Sequence, residues 1–155
     1  METGWPNCPR YFRGDYQNLK IKFTGAENIE NNWSQSMQDM FVLSMLDGKK
    51  NGVYVEIGAD QPRVISNSYL LEKDFDWAGV SFELDGDKVI YFNSIRRNKC
   101  LCEDATTYDY KFLFEDRNFP KQIDYLQLDI DPAEGTLAAL KALPLDDYRF
   151  SVITY

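Results

Sequence analysis

Three carboxylates along this chain each close an apolar run: Glu56 in Val53-Tyr54-Val55-Glu56-Ile57-Gly58, Glu83 in Gly79-Val80-Ser81-Phe82-Glu83-Leu84, and Asp129 in Tyr125-Leu126-Gln127-Leu128-Asp129-Ile130. Runs of β-branched, aromatic and leucine side chains of this length read as strands buried on both faces. If the three lie side by side and point the same way, their acids share one rim, and open α/β sheets bind ligands outside the carboxyl ends of their strands. Carboxylates in that position can accept hydrogen bonds from ribose hydroxyls, balance a positive centre or take a proton. Gly58 follows Glu56 closely, where a positive φ or a near approach of backbone to ligand calls for a residue without Cβ.

The rest of the composition narrows the chemistry. The 155 residues include no histidine, which excludes Ser-His-Asp and Cys-His catalysis and leaves acid–base work to carboxylate, lysine, tyrosine or cysteine. Cys8, Cys100 and Cys102 are odd in number, and the last two stand too close along one strand for ordinary disulfide geometry. They read as core and strand residues in a reducing compartment, with no metal site expected. A net charge of -8 opposes binding to a phosphate backbone, and the short basic cluster Arg96-Arg97-Asn98-Lys99 reads as the solvated end of a helix. With 44% hydrophobic and 15% aromatic residues the chain has the material for one globular core. No apolar run reaches the roughly 20 residues that span a bilayer, and no signal pattern opens the chain, so neither membrane nor nucleic acid is expected as a partner and a cytoplasmic location is.

The elements that must position these acids follow from period and punctuation. Residues 1–33 carry Trp5, Tyr11, Phe12 and Tyr16 without a sustained period and read as an N-terminal arm that packs locally. Met37, Met40, Phe41 and Met45 recur at helical spacing before Gly48 and predict a helix over 34–47 with a core-facing stripe. Gln35 and Asp39 would share one face of it, pointing at a ligand or into solvent. Strand 53–57 precedes a helix that Ser66 or Asn67 could cap, with Tyr69, Leu70, Leu71 and Phe75 as its apolar side. Strand 79–84, helix 87–98 and strand 99–102 come next, and the weak alternation of 108–114 suggests a short extra strand. After strand 124–130, Asp131, Pro132 and Glu134 have the layout of an N-cap, N1 and N3, with Leu137, Leu140 and Leu143 facing the core. A strand over 150–155 closes the pattern. Alternating strands and helices imply right-handed crossovers and a doubly wound, Rossmann-like α/β domain over 34–155, with about five mainly parallel strands in the order 3-2-1-4-5. The last strand would offer an unpaired edge through which the chain could self-associate.

A dinucleotide site would show G-x-G-x-x-G, whereas here Gly58 is followed by Ala59-Asp60-Gln61-Pro62. A ligand with ribose and adenine but no diphosphate fits better, and S-adenosylmethionine is one. Ser34-Gln35-x-x-Gln38-Asp39-x-Phe41, Val55-Glu56-Ile57-Gly58-Ala59, Ser66-Asn67-Ser68-x-Leu70-Leu71-Glu72-Lys73, Trp77-x-Gly79 and Asp124-Tyr125-Leu126-x-Leu128-Asp129-Ile130 together resemble the FkbM-type methyltransferases over about residues 34–155. The resemblance implies methyl transfer from S-adenosylmethionine to a hydroxyl of a sugar or other small acceptor. It implies cofactor contacts from Glu56, Gly58 and Ala59, from Glu83 and Leu84 at the ribose, from Asp104 and Ala105 at the adenine, and from Ser66 and Asn67 at the methionine carboxylate. Asp129 would be the catalytic residue beside the methyl group. Each acid has a local alternative: Glu83 as a cap for the next helix, Asp104 as a turn former, Asp131 and Glu134 as caps. Asp60-Gln61-Pro62-Arg63 stands where the family commonly has a glycine. The family's closing antiparallel hairpin has no counterpart after Val152-Ile153-Thr154-Tyr155, so a binding module that works through association with another chain is the alternative to an enzyme. A Rossmann-like enzyme using another nucleotide is a third reading.

Overall fold

In the computed structural model, which describes residues 14–155, the apolar runs form one five-stranded sheet whose pairs are all parallel, in the order β3-β2-β1-β4-β5. The strands are β1 (Val53–Ile57), β2 (Ala78–Glu83), β3 (Lys99–Cys102), β4 (Gln122–Leu128) and β5 (Arg149–Thr154). Between them run α2 (Tyr69–Phe75), α3 (Gly86–Ile95), α4 (Tyr110–Asp116) and α5 (Ala133–Ala142), and α1 (Gln38–Met45) precedes β1. The expected doubly wound α/β topology is therefore the observed one.

Side chains of a strand alternate between faces, and the central strands use this to build two cores. Val55, Ile57, Val80, Phe82, Leu126 and Leu128 pack with Tyr110, Leu113 and Phe114 of α4 and Ala139 of α5. On the other face Tyr54, Tyr125 and Val152 meet Val42 and Leu43 of α1 and Leu70, Leu71 and Phe75 of α2. That second face carries a buried polar row near the strand ends, because the register sets Glu56 opposite Ser81 on β2 and Gln127 on β4. The segment before α1 joins this core: Phe23, Ala26 and Ile29 are buried there, and Thr24 N donates to Asp47 Oδ1 at 3.0 Å. Trp5, Cys8, Tyr11 and Phe12 lie outside the described residues. Among those described, no helix is long and apolar enough to cross a membrane.

Several elements differ from their sequence expectation. The stretch expected as an extra strand over 108–114 is α4, since Asp109 caps it by accepting from Phe112 N at 3.0 Å. Its Tyr110, Leu113 and Phe114 also recur at helical spacing on the buried side. The first helix begins at Gln38 rather than 34, because the buried Asp39 carboxylate accepts from Trp33 N at 2.7 Å and Ser34 N at 3.1 Å and folds residues 33–37 into a turn. Asp39 thus faces neither ligand nor solvent. Of the expected stripe Met40 is buried, while Phe41 and Met45 are exposed. In α5 the cap position falls on Pro132, and neither Asp131 nor Glu134 forms a capping bond. Thr136 ties the helix to the strand end instead, its hydroxyl accepting from Ile130 N at 3.1 Å and donating to Ile130 O at 2.9 Å. Leu137 faces outward, leaving Leu143 as the fully buried leucine. Arg96, expected in solvent, is buried against α2.

Candidate functional site

Sheet order reverses between β1 and β4, whose chains leave in opposite directions around the sheet, and a cleft of about 480 Å³ opens at the carboxyl ends of the strands there. This is within the usual range of small-molecule sites, roughly 300–1,000 Å³. Glu56, Gly58 and Ala59 form its floor, Glu83, Leu84, Asp104 and Ala105 one side, and Asn67 and Asp129 the other. Nine of the ten residues expected at a ligand site thus line one cleft. The tenth, Ser66, does not: its hydroxyl is buried, accepting from Tyr69 N at 3.2 Å and Arg96 Nη1 at 3.2 Å, and so fixes the start of α2.

Glu56 is 1% exposed, and its Oε2 accepts from Ser81 Oγ at 2.6 Å and Ser68 Oγ at 2.8 Å. Both bonds fall on Oε2, so Oε1 is the oxygen left for the cleft. Behind it Arg96 donates to Ser68 Oγ at 3.0 Å, Tyr54 Oη at 3.2 Å, Pro62 O at 2.9 Å and Glu72 Oε2 at 3.1 Å. A guanidinium presents a rigid fork of donors, which suits it to join a loop, a helix and a strand at once. Burial pushes the Glu56 carboxyl above the usual range, against the opposing Arg96 charge and the serine bonds.

Gly58 has φ +83°, and a Cβ there would stand 1.9 Å from the Asp129 carbonyl oxygen, so the close passage of the β1 and β4 ends requires glycine. Gly58 N and Ala59 N both donate to Phe82 O at 3.0 Å. Glu83 accepts from Asp60 N at 3.1 Å and Asp85 N at 3.0 Å, which orients its carboxylate across the β2 end. The cap of α3 is Asp85, accepting from Asp87 N and Lys88 N. Asp104 makes the turn that was its local alternative, accepting from Thr106 N at 2.8 Å and Thr106 Oγ1 at 2.7 Å, and these bonds hold its carboxyl below the usual range. It lines the cleft all the same. Asn67 is 7% exposed and its Oδ1 has no hydrogen-bond partner. A buried carbonyl left so costs about 1–3 kcal/mol unless a ligand supplies a donor. The Asp129 side chain makes no hydrogen bond among the described residues, and burial, then the charge of Asp131, raises its carboxyl above the ordinary range.

Other lining residues carried weaker sequence signals. Gln35 enters from the turn before α1 and Gln38 from the first residue of that helix, and Glu103, Thr106 and Asp131 extend the rim. Lys88, the basic residue of the lining, pairs with Asp60 at 2.5 Å, and that bond raises its ammonium. Among the described residues no group of three or more acids or thiols is arranged to hold a metal ion.

The Glu56 environment has a thermodynamic consequence. Below its ordinary value of 4.5 the carboxyl is protonated in folded and unfolded chain alike. As pH rises from there through the raised native value, the unfolded chain ionises while the folded one holds its proton, so this group's contribution to stability falls. Glu56→Gln, whose carbonyl can still accept both serine hydroxyls, is expected to become progressively more stable relative to wild type as pH rises from 4.5 to 8. Urea melts across that range check it, and a constant difference would show an unshifted Glu56.

Fold and cleft define a Rossmann-like α/β protein with an open cleft at the topological switch point, where such sheets bind their ligands. No family model matches the chain, and neither a curated protein nor a solved structure matches it.

Proposed function

We propose that this cleft binds S-adenosylmethionine and that the chain is a methyltransferase of the FkbM type acting on a hydroxyl of a sugar or other small molecule. The observation that carries the reading is the arrangement at the switch point: a glycine with positive φ at the floor, an oriented carboxylate at the end of β2, and no phosphate cradle. The lining has six carboxylates besides Glu56 and one ammonium already paired with Asp60, which opposes a diphosphate and favours a ligand with a positive centre.

The donor set fits the group. Glu83 would accept from the ribose hydroxyls, Leu84 and Ala105 would flank the adenine, and Asp104 would accept from its exocyclic amine. Asn67 would donate its Nδ2 to the methionine carboxylate, which leaves its unpartnered Oδ1 to the acceptor side. When bound, the cofactor would supply an electrophilic methyl group on a sulfonium. Asp129 would take the proton of the acceptor hydroxyl; partial desolvation and the neighbouring Asp131 charge raise its carboxyl, which makes it a stronger base than an unperturbed aspartate. Gly58 keeps Asp129 close to the floor, so that positioning contributes alongside proton transfer.

Titration calorimetry with S-adenosylhomocysteine, S-adenosylmethionine and NAD tests this. Binding of the first two and not the third is expected, and Glu83→Ala should weaken it by about 1.5–3 kcal/mol, the range for hydrogen bonds to a charged group. Silence with both sulfur ligands, or preference for NAD, overturns the reading. Methyl transfer from labelled cofactor to hydroxylated acceptors then separates an enzyme from a binding module.

A further inference from the structure

The cleft has two unlike sides. Toward β2 and β3 the lining is mixed, with apolar Leu84 and Ala105 and the Lys88–Asp60 pair. Toward β4 and α1 it is Gln35, Gln38, Asp129, Ile130 and Asp131, without a basic residue. A bridge between Ser34 and Ile65 sets the turn before α1 beside the one before α2, so that Asn67 belongs to this side. Asn67 is 7% exposed with an unpartnered Oδ1, and Gln38 spends its Oε1 on Ser36 N at 2.9 Å, leaving its Nε2 to donate. Neither Asp129 nor Asp131 has a cationic partner among the described residues, and the two repel, Asp131 helping to hold the Asp129 carboxyl up.

We propose that the β4 side of the cleft is a subsite for a hydroxylated amine, the ammonium held by Asp131 and Asn67 Oδ1, and the hydroxyls by Gln35 and Gln38, with one of them toward Asp129. An ammonium relieves the repulsion between two carboxylates and gives the buried amide oxygen the donor it lacks. A neutral polyol does the second but not the first. The acceptor class of the methyl transfer is thereby an amino sugar or amino alcohol methylated on oxygen: the O–CH₃ bond forms as the S–CH₃ bond breaks, and the hydroxyl proton goes to Asp129. This assignment rests on the methyltransferase reading for the reaction but not for the subsite.

The test is a titration of ¹⁵N-labelled protein with glucosamine and with glucose at about pH 6.5, where the amine is protonated, read on the side-chain amides of Gln35, Gln38 and Asn67. Glucosamine is expected to bind about tenfold tighter than glucose, the effect of one partly screened charge interaction. In Asp131→Asn, an exposed substitution, the two sugars should converge. Equal affinity in the wild type, shifts confined to other residues, no shift with either sugar, or a preference that survives Asp131→Asn would each overturn the subsite. S-adenosylhomocysteine titrated into the same sample separates the readings: its binding without an amine preference overturns only the subsite, and an amine preference without its binding overturns only the methyltransferase.

Discussion

Gly58→Ala is expected to lose about 3 kcal/mol or more of stability, enough to unfold a substantial part of a marginally stable domain. Two costs coincide. At φ +83° an alanine adopts a conformation unfavourable for L residues by roughly 1–2 kcal/mol. Its Cβ would also stand 1.9 Å from the Asp129 carbonyl oxygen and 2.8 Å from the carbonyl carbon. The obstacle is backbone, so relief requires the ends of β1 and β4 to part, and Asp129 N would lose its 2.9 Å bond to Ile57 O. Urea denaturation should show a lower midpoint with the slope of the wild type. Gly86→Ala is the control: its nearest new contact is 3.8 Å away at Cys102 Sγ, and it sits in the first turn of α3, so it should be neutral or slightly stabilising. A Gly58→Ala protein within 1 kcal/mol of wild type would show that the two strand ends do not need their close passage.

Arg96→Met should cost about 3–5 kcal/mol, the usual consequence of removing one member of a buried ionic network. The Arg96 side chain is 0% exposed and that of Glu72 8% exposed. Its loss strips donors from Glu72, Ser68, Tyr54 and Pro62, and removes the charge that opposes the burial of Glu56. Arg96→Lys should recover little, because one ammonium on a flexible stem cannot reach a helix, a loop and a strand together. The deficit of Arg96→Met should shrink at pH 4.5 relative to pH 7. With the cation gone the native Glu56 value rises further, so ionising it costs more at neutral pH, while near 4.5 it stays protonated in the fold. Equal deficits at the two pH values, or full recovery in Arg96→Lys, would reduce Arg96 to a packing residue.

What could be read in the chain follows from the range over which each signal acts. The strands were legible because near-continuous apolar runs mark a sheet covered on both faces, and their alternation with helices implied the observed order. Glu56, Glu83 and Asp129 came to one cleft for the same reason, since parallel strands bring their ends together. Residues 108–114 were misread because alternation and helical period overlap over so short an apolar stretch, and the Asp109 cap decided between them. Arg96 looked solvated among Arg97 and Lys99, and nothing local shows that Glu72, Ser68 and Tyr54 converge on it. The bond that holds Ser66 inside comes from the same distant arginine. Asp39 carried the strongest misdirection, for its helical spacing from Gln35 held only if the helix began before both of them.

The pairing of β1 with β4 also sets an order of events in folding. Val53 and Asp124, joined by a 2.9 Å bond, lie 71 positions apart, whereas the β1–β2–β3 side is built from nearer contacts. Closing so long a loop costs more entropy than joining neighbours, so β4 is expected to join β1 after β2 has done so. Gly58 and Asp129 meet only in that late step, and the cleft between them comes into being with the last central seam of the sheet. A ligand held there therefore grips the molecule after its slowest contact has formed, and opposes the reverse step: it acts as a brake on unfolding and does little to hasten folding.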